Sequence, residues 1–292
     1  MTSSATAAST SAVDADERPA DVVLEAASVT LRYGSVTALK DVSFTVRSGE
    51  VVALVGPNGA GKTSLFNCVS GFSRPSEGTL TFAGLDLGTA RRHAIAQAGV
   101  GRTFQNLSLF PGATVMENAL VGRHPLMRSS IAGNLLRWRR SRAEDVAHRE
   151  AVADVLDLLG LFDLRNTEVG GLPYGTRKRV ELARALASEP RLLLMDEPVA
   201  GMNPTETAEL TETIGRVRAQ RDLAILVVEH DMAMVMEVAD WITVLDFGQV
   251  IAQGRPAAIR DSEAVREAYL GNSVSLDAEH TPDHLSPLSE EI

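Results

Sequence analysis

The stretch GPNGAGKT (residues 56–63) sets three glycines, a lysine and a hydroxyl in the order G-x-x-x-x-G-K-[ST]. Glycines let successive backbone N–H groups converge on one point. A helix that starts there adds the partial positive charge of its N-terminus, and together they bind phosphate. Lys62 would then reach the β- and γ-phosphates of a nucleotide, and the Thr63 hydroxyl would ligate Mg2+. The plain alternative is a chance glycine-rich turn. It leaves unexplained the all-apolar VVALV before the loop and the helical KTSLFNCVS after it, closed by Gly71.

A second cluster, LLLMDEP (192–198), carries four apolar residues to two adjacent acids, Asp196 and Glu197. Ligands bind at the C-terminal ends of strands in open parallel sheets. Neighbouring strand residues face opposite ways, so the two acids take different tasks. Asp196 is the natural Mg2+ partner, and Glu197 can polarise the water that attacks a γ-phosphate. Two acids capping the next helix is the bland reading. His230, in VVEHDM, follows another apolar run, and a parallel sheet brings it beside Glu197. Otherwise it is a structural or exposed histidine. Gln105, in RTFQN, offers an amide to Mg2+ and water or is an ordinary loop residue. Tyr33, in LRYG, either stacks on a nucleobase or fills the core at a strand end. DFG at 246–248 reads as a hairpin turn, because the other kinase elements are missing.

These residues need a frame to hold them. Residues 51–55, 192–195 and 224–228 are apolar at every position, the mark of strands buried on both faces of a parallel sheet. Residues 22–50 alternate apolar and polar around turn signals and read as an antiparallel meander. The interval 89–190 is mostly helical, with Val146, Val152, Val155, Leu156 and Leu159 at helical spacing. WITVLDF and QVIAQG close the chain's strands around Gly248.

The 292 residues are 45% hydrophobic, with no apolar run long enough for a membrane span. The N-terminus lacks the basic start and apolar region of a signal peptide, and the single cysteine, Cys68, fits a reducing compartment. Of the net charge of −10, residues 1–21 hold −3 and residues 271–292 hold −5. Both tails read as disordered, and the nearly neutral body gives no reason to expect nucleic acid. One charge pattern stands out. The helix that begins within LPYGTRKRVELARAL opens on Arg177, Lys178 and Arg179. Each cation at a helix N-terminus is unfavourable by roughly 0.3–1 kcal/mol, so an anion is expected in front of it.

In order and spacing, these motifs resemble the ATP-binding cassette (ABC) ATPases over residues 22–271. The resemblance implies an α/β P-loop NTPase with a mostly parallel core sheet flanked by helices. It adds an N-terminal antiparallel β-subdomain and a helical subdomain inserted at about 89–190, between tails 1–21 and 272–292. It implies ATP held by Tyr33, Gly56, Pro57, Asn58, Gly59, Ala60, Gly61, Lys62, Thr63 and Ser64. Mg2+ falls to Thr63, Gln105 and Asp196, and catalysis to Glu197, His230 and Gln105. AGMNP (200–204) is then the D-loop. Leu172, Pro173, Tyr174, Gly175 and Thr176 occupy the place of the signature, usually LSGGQ, which in the family faces ATP on a partner cassette. The expected anion is then that ATP, with Glu181 and other acids as the surface alternative. Pro173 replaces a serine, Tyr174 a glycine, Thr176 a glutamine, and Asn203 the usual D-loop aspartate.

FNCVSGF, GVGRTFQNLSLF, LPYG, VVEHDMAMVMEVAD and the closing AYLG look like the ATPase subunits of branched-chain amino acid importers. That implies a second, non-identical cassette, two membrane permeases and an extracytoplasmic binding protein, with this chain peripheral on the cytoplasmic face. The arginines and Trp138 within 128–142 suit a membrane-proximal face or a solvated helix. Another cargo, such as urea or an exported lipid, is the runner-up. A soluble ABC protein is less favoured, because those generally carry two cassettes or long coiled coils.

Overall fold

The computed structural model describes residues 21–103, 107–127 and 138–276. A six-stranded sheet runs in the order β10-β9-β3-β8-β7-β6. Its strands are β3 (Val51–Val55), β6 (Val100–Arg102), β7 (Leu192–Asp196), β8 (Ala224–Val228), β9 (Trp241–Asp246) and β10 (Gln249–Gly254). All neighbours are parallel except the edge pair β9–β10. Every residue of β3, β7 and β8 is buried, as their unbroken apolar runs require. The period of two then divides each strand between two cores. Val51, Ala53 and Val55 join the helical side, whereas Val52 and Leu54 join the side covered by the second sheet.

That second sheet is antiparallel, in the order β2-β1-β4-β5, built from β1 (Val22–Tyr33), β2 (Val36–Arg47), β4 (Glu77–Phe82) and β5 (Leu85–Asp86). The meander expected within 22–50 is therefore a β1–β2 hairpin, completed by two strands from beyond the phosphate loop. Between the sheets runs α1 (Lys62–Val69), with Leu65, Phe66, Cys68 and Val69 buried. Burial lifts the Cys68 thiol to a pKa of about 12, which leaves it an inert core residue.

The interval 89–190 contains α2 (Arg92–Gln97), α3 (Val115–Val121), α4 (Trp138–Leu158) and α5 (Tyr174–Leu186), but also β6, a strand of the core sheet. On α4, Val152, Val155 and Leu156 are buried while Val146 is 54% exposed. The periodicity was sound, but within residues 144–158 of α4 the first buried residue is His148, which accepts a 3.0 Å hydrogen bond from Arg123. The helix α6 (Pro204–Arg221) follows β7, and α7 (Met232–Val238) follows β8. Two last helices, α8 (Pro256–Arg260) and α9 (Glu263–Leu276), carry regular structure past the expected start of the C-terminal tail at 272. Among the described residues no helix is long and apolar enough to cross a membrane.

Candidate active site

Residues 56–63 join β3 to α1, with Gly61 (φ +98°) as the N-terminal cap of the helix. Sterics demand glycine here. A Cβ on Gly61 would lie 2.7 Å from the Ala38 carbonyl oxygen, and one on Gly56 would lie 2.1 Å from that of Leu245. The helix end has neither a side-chain cap nor an acid in its first turn, so its N–H groups are available to an incoming anion. Lys62 folds back over the loop and donates to the carbonyls of Gly56 (2.5 Å) and Pro57 (2.8 Å). Burial lowers its pKa, and the charge of Glu197 opposes that shift. In front lies a cleft of about 550 Å³, walled by Asn58, Gly59, Ala60, Gly61, Lys62, Thr63 and Ser64 and by Glu197.

The two acids at the end of β7 do part company. Asp196 is buried, and its Oδ2 lies 3.3 Å from Arg102 Nη2. Burial raises the Asp196 pKa, while the arginine holds it down. Arg102 also donates to Asn67 (3.1 Å) and Ser70 (2.7 Å), with its guanidinium over the rings of Phe66 and Phe72. It therefore connects the end of the phosphate-loop helix to the aspartate. Glu197 has left-handed backbone (φ +46°) and donates its N–H to Val228 O at 2.8 Å, which turns it toward the cleft rather than along the strand. His230 Nδ1 lies 3.9 Å from Glu197 Oε1, so the parallel sheet brings the two together as expected.

Glu229 was missed by the sequence reading. It is fully buried and accepts three backbone N–H bonds, from Val199 (3.1 Å), His230 (2.9 Å) and Asp231 (3.2 Å). One carboxylate thus pins the segment after Glu197 to the segment carrying His230. The sequence signal was an acid directly after a strand with no polar position.

Tyr33 is half-exposed, which overturns the core alternative, and its hydroxyl pairs with Ser73 Oγ at 2.8 Å. It pairs across the β1–β2 hairpin with Val36, which lines the cleft together with Thr37, Ala38, Phe247 and Gly248. Gln105 lies outside the described residues, as does most of the basic segment 128–142. Leu172, Pro173, Tyr174, Gly175 and Thr176 are not on this cleft. Gly175 and Thr176 line a separate polar pocket of about 230 Å³ with Arg179, Met202, Glu206 and Glu209.

At that second place the chain supplies an anion of its own. Gly175 N donates to Glu206 Oε1 at 3.3 Å, while Glu206 Oε2 accepts from Asn203 N at 3.1 Å. Tyr174 OH donates to Ala200 O at 3.2 Å. Of the three cations, Lys178 is buried beneath the helix and so is Glu181, which sits 3.7 Å from Arg184. The surface alternative places Glu181 on a solvated face beside these cations; Glu181 is buried instead. Glu206 was not anticipated.

A glycine-rich strand–loop–helix beside an Asp-Glu pair at the carboxyl edge of a parallel sheet defines a P-loop nucleotide-binding ATPase. The chain belongs to the ABC transporter family, whose model matches residues 39–200. A second model, branched-chain amino acid ATP-binding cassette transporter, matches residues 249–274. The chain is 38% identical over 251 residues to the high-affinity branched-chain amino acid transport ATP-binding protein BraF of Pseudomonas aeruginosa, covering 86% of this chain and 98% of that one. It is 33% identical to the lipopolysaccharide export system ATP-binding protein LptB of Haemophilus influenzae, covering 87% and 99%. Its fold matches the ADP conformation of MJ1267, an ATP-binding cassette of an ABC transporter, with a TM-score of 0.75 and 28% identity. That match covers 86% of this chain and all of the other. The protein is therefore an ATP-binding, ATP-hydrolysing transporter subunit.

Proposed function

We propose that this chain powers the import of branched-chain amino acids, as the ATPase subunit of a complex assembled on the cytoplasmic face of the membrane. The observation that carries the cargo is the near full-length likeness to BraF. The C-terminal match over β10 to α9 supports it, and the likeness to the exporter subunit is lower. Its partners are a second, non-identical cassette, two permeases and, through them, an extracytoplasmic binding protein. Residues 22–271 act as the ATPase domain, and the helical part within 89–190 meets the permeases.

In this reading the N–H groups of residues 56–63 and the start of α1 hold the ATP phosphates. Lys62 exchanges its two carbonyl acceptors for β- and γ-phosphate oxygens. The oxygen donors of Thr63 and Asp196 suit Mg2+, which takes few protein ligands and completes its shell with phosphates and water. Mg2+ held there would neutralise charge that builds on the phosphate oxygens, and Gln105 would be a further ligand to it. Glu197 takes the proton of the attacking water, and His230 beside it contacts the γ-phosphate. Residues 172–176 present the start of α5 to ATP on the partner cassette.

The test is co-purification in detergent, followed by ATP turnover in vesicles with leucine and its binding protein added outside. Turnover stimulated by a branched-chain amino acid, and not by urea or a lipid, is the expected result. A complex stimulated only by another cargo would overturn the assignment.

A further inference from the structure

The β9–β10 turn consists of Phe247 and Gly248, because Asp246 and Gln249 pair directly across it. Both turn residues have left-handed backbone, φ +42° and +76°. Two consecutive positive φ values make a type I′ hairpin, which Asn-Gly or Asp-Gly fills comfortably. A bulky aromatic in that conformation is strained. Burial does not compensate. Phe247 is 79% exposed, the highest value among the exposed large hydrophobics of the described residues. Nothing in the fold explains why an aromatic should sit there.

Its position does. Gly248 N donates to Ala60 O at 3.0 Å, and Gly248 O accepts from Lys40 N at 2.8 Å. The turn is thereby fixed against the phosphate loop, and Phe247 becomes part of the wall of the cleft that holds Lys62 and Thr63. Val36 on the same wall is also exposed, at 62%. Thus a cleft with cationic and backbone N–H groups for phosphate also presents two solvent-exposed apolar side chains, one of them a flat ring. A ligand that matches both features carries a phosphate chain at one end and a planar aromatic group at the other. Strained residues persist where a function holds them.

We propose that Phe247 is a nucleobase-binding residue, giving the base of ATP a stacking face beside Val36. The proposal rests on nucleotide binding by residues 56–63. It adds a contact from the opposite end of the sequence to the one expected from Tyr33.

The experiment uses the full chain and compares ATP with inorganic tripolyphosphate, which has the phosphates and no base. Phe247→Asn suits the turn, so its Tm should rise. Its affinity for Mg-ATP should fall about five- to a hundredfold, the range for losing one base–aromatic stack. Its affinity for tripolyphosphate should stay within about twofold, because the phosphate loop is untouched. Phe247→Trp keeps an aromatic face and should retain ATP binding. Stability and ATP affinity thus move in opposite directions, which a purely structural role does not produce. Unchanged ATP affinity in Phe247→Asn would overturn the proposal, and so would equal losses for ATP and tripolyphosphate. Unchanged nucleotide affinity with impaired pairing to the second cassette would assign the ring to the partner's surface instead. Failure of the unaltered chain to bind tripolyphosphate at all would remove the phosphate site and the proposal with it.

Discussion

Two helices of this chain open on stretches that stand out in the sequence, α1 at the phosphate loop and α5 at residues 172–176, and they are finished in different ways. Both lack a side-chain cap, since Gly61 and Pro173 stand at the cap positions. In front of α1 is an open polar cleft with Lys62 and no acid in the first helical turn. In front of α5 a carboxylate is already in place, Glu206 on Gly175 N, and Tyr174 is tied to Ala200. An N-terminus left open keeps its N–H groups for a phosphate. One that shares a donor with its own chain keeps its shape alone but has less to offer a ligand, since only the N–H groups of Tyr174 and Thr176 remain in its first turn. The chain therefore carries one helix end left open to an anion and one already met by its own carboxylate.

The largest effect belongs to the α1 end. Glu197→Gln keeps the side chain's shape and removes the proton acceptor, so turnover in the assembled complex should fall on the order of 10²- to 10⁴-fold while ATP binding persists. Near-normal turnover would place hydrolysis outside this chain's own cleft. Lys62→Ala comes next. Loss of charged hydrogen bonds to phosphate should weaken Mg-ATP binding on the order of ten- to a hundredfold by calorimetry, with the fold retained. Unchanged affinity would mean that the backbone amides suffice.

The two smaller effects address α5. Glu206→Gln can still accept from Asn203 and so keeps the cap of α6, but its amide cannot also serve Gly175. Amide exchange at Gly175 should then quicken about two- to tenfold, the value of one net hydrogen bond. No change would deny that Glu206 is what distinguishes the two helix ends. Pro173→Ser adds a capping hydroxyl, stabilising by about 0.5–2 kcal/mol, against about 0.4–1 kcal/mol from a looser unfolded chain. The net rise in Tm should be slight. A fall would show that Pro173 shapes the signature.

Much of this contrast was legible in residue order. The all-apolar runs of β3, β7 and β8 placed both ends of the nucleotide site on one sheet edge, and the geometry of a parallel sheet put His230 beside Glu197. What escaped notice depends on contacts between distant segments. Arg102 meets Asp196 only because β6 lies beside β7 in parallel register. Glu229 draws two donors from its own neighbours, His230 and Asp231, and gains the third, Val199 N, only after the loop following Glu197 folds over it. Glu206 looked like an ordinary acid of a helix's first turn, and its second oxygen reaches another helix. Phe247 was correctly placed in a hairpin turn. Its place on the cleft wall follows from β9 pairing with β3, the strand that feeds the phosphate loop. Val146 failed for the converse reason, since helical periodicity does not say where the covering helices stop.

Hydrogen exchange on the Glu197→Gln chain, with and without Mg-ATP, tests most directly whether α1 is the phosphate-binding end. In the isolated chain ATP should protect the amides of residues 59–63 and leave those of 174–176 unchanged. Protection at 174–176 should arise only when the second cassette is added. Equal protection of both segments in the isolated chain, or none at 59–63, would contradict the assignment of ATP to this chain's own cleft.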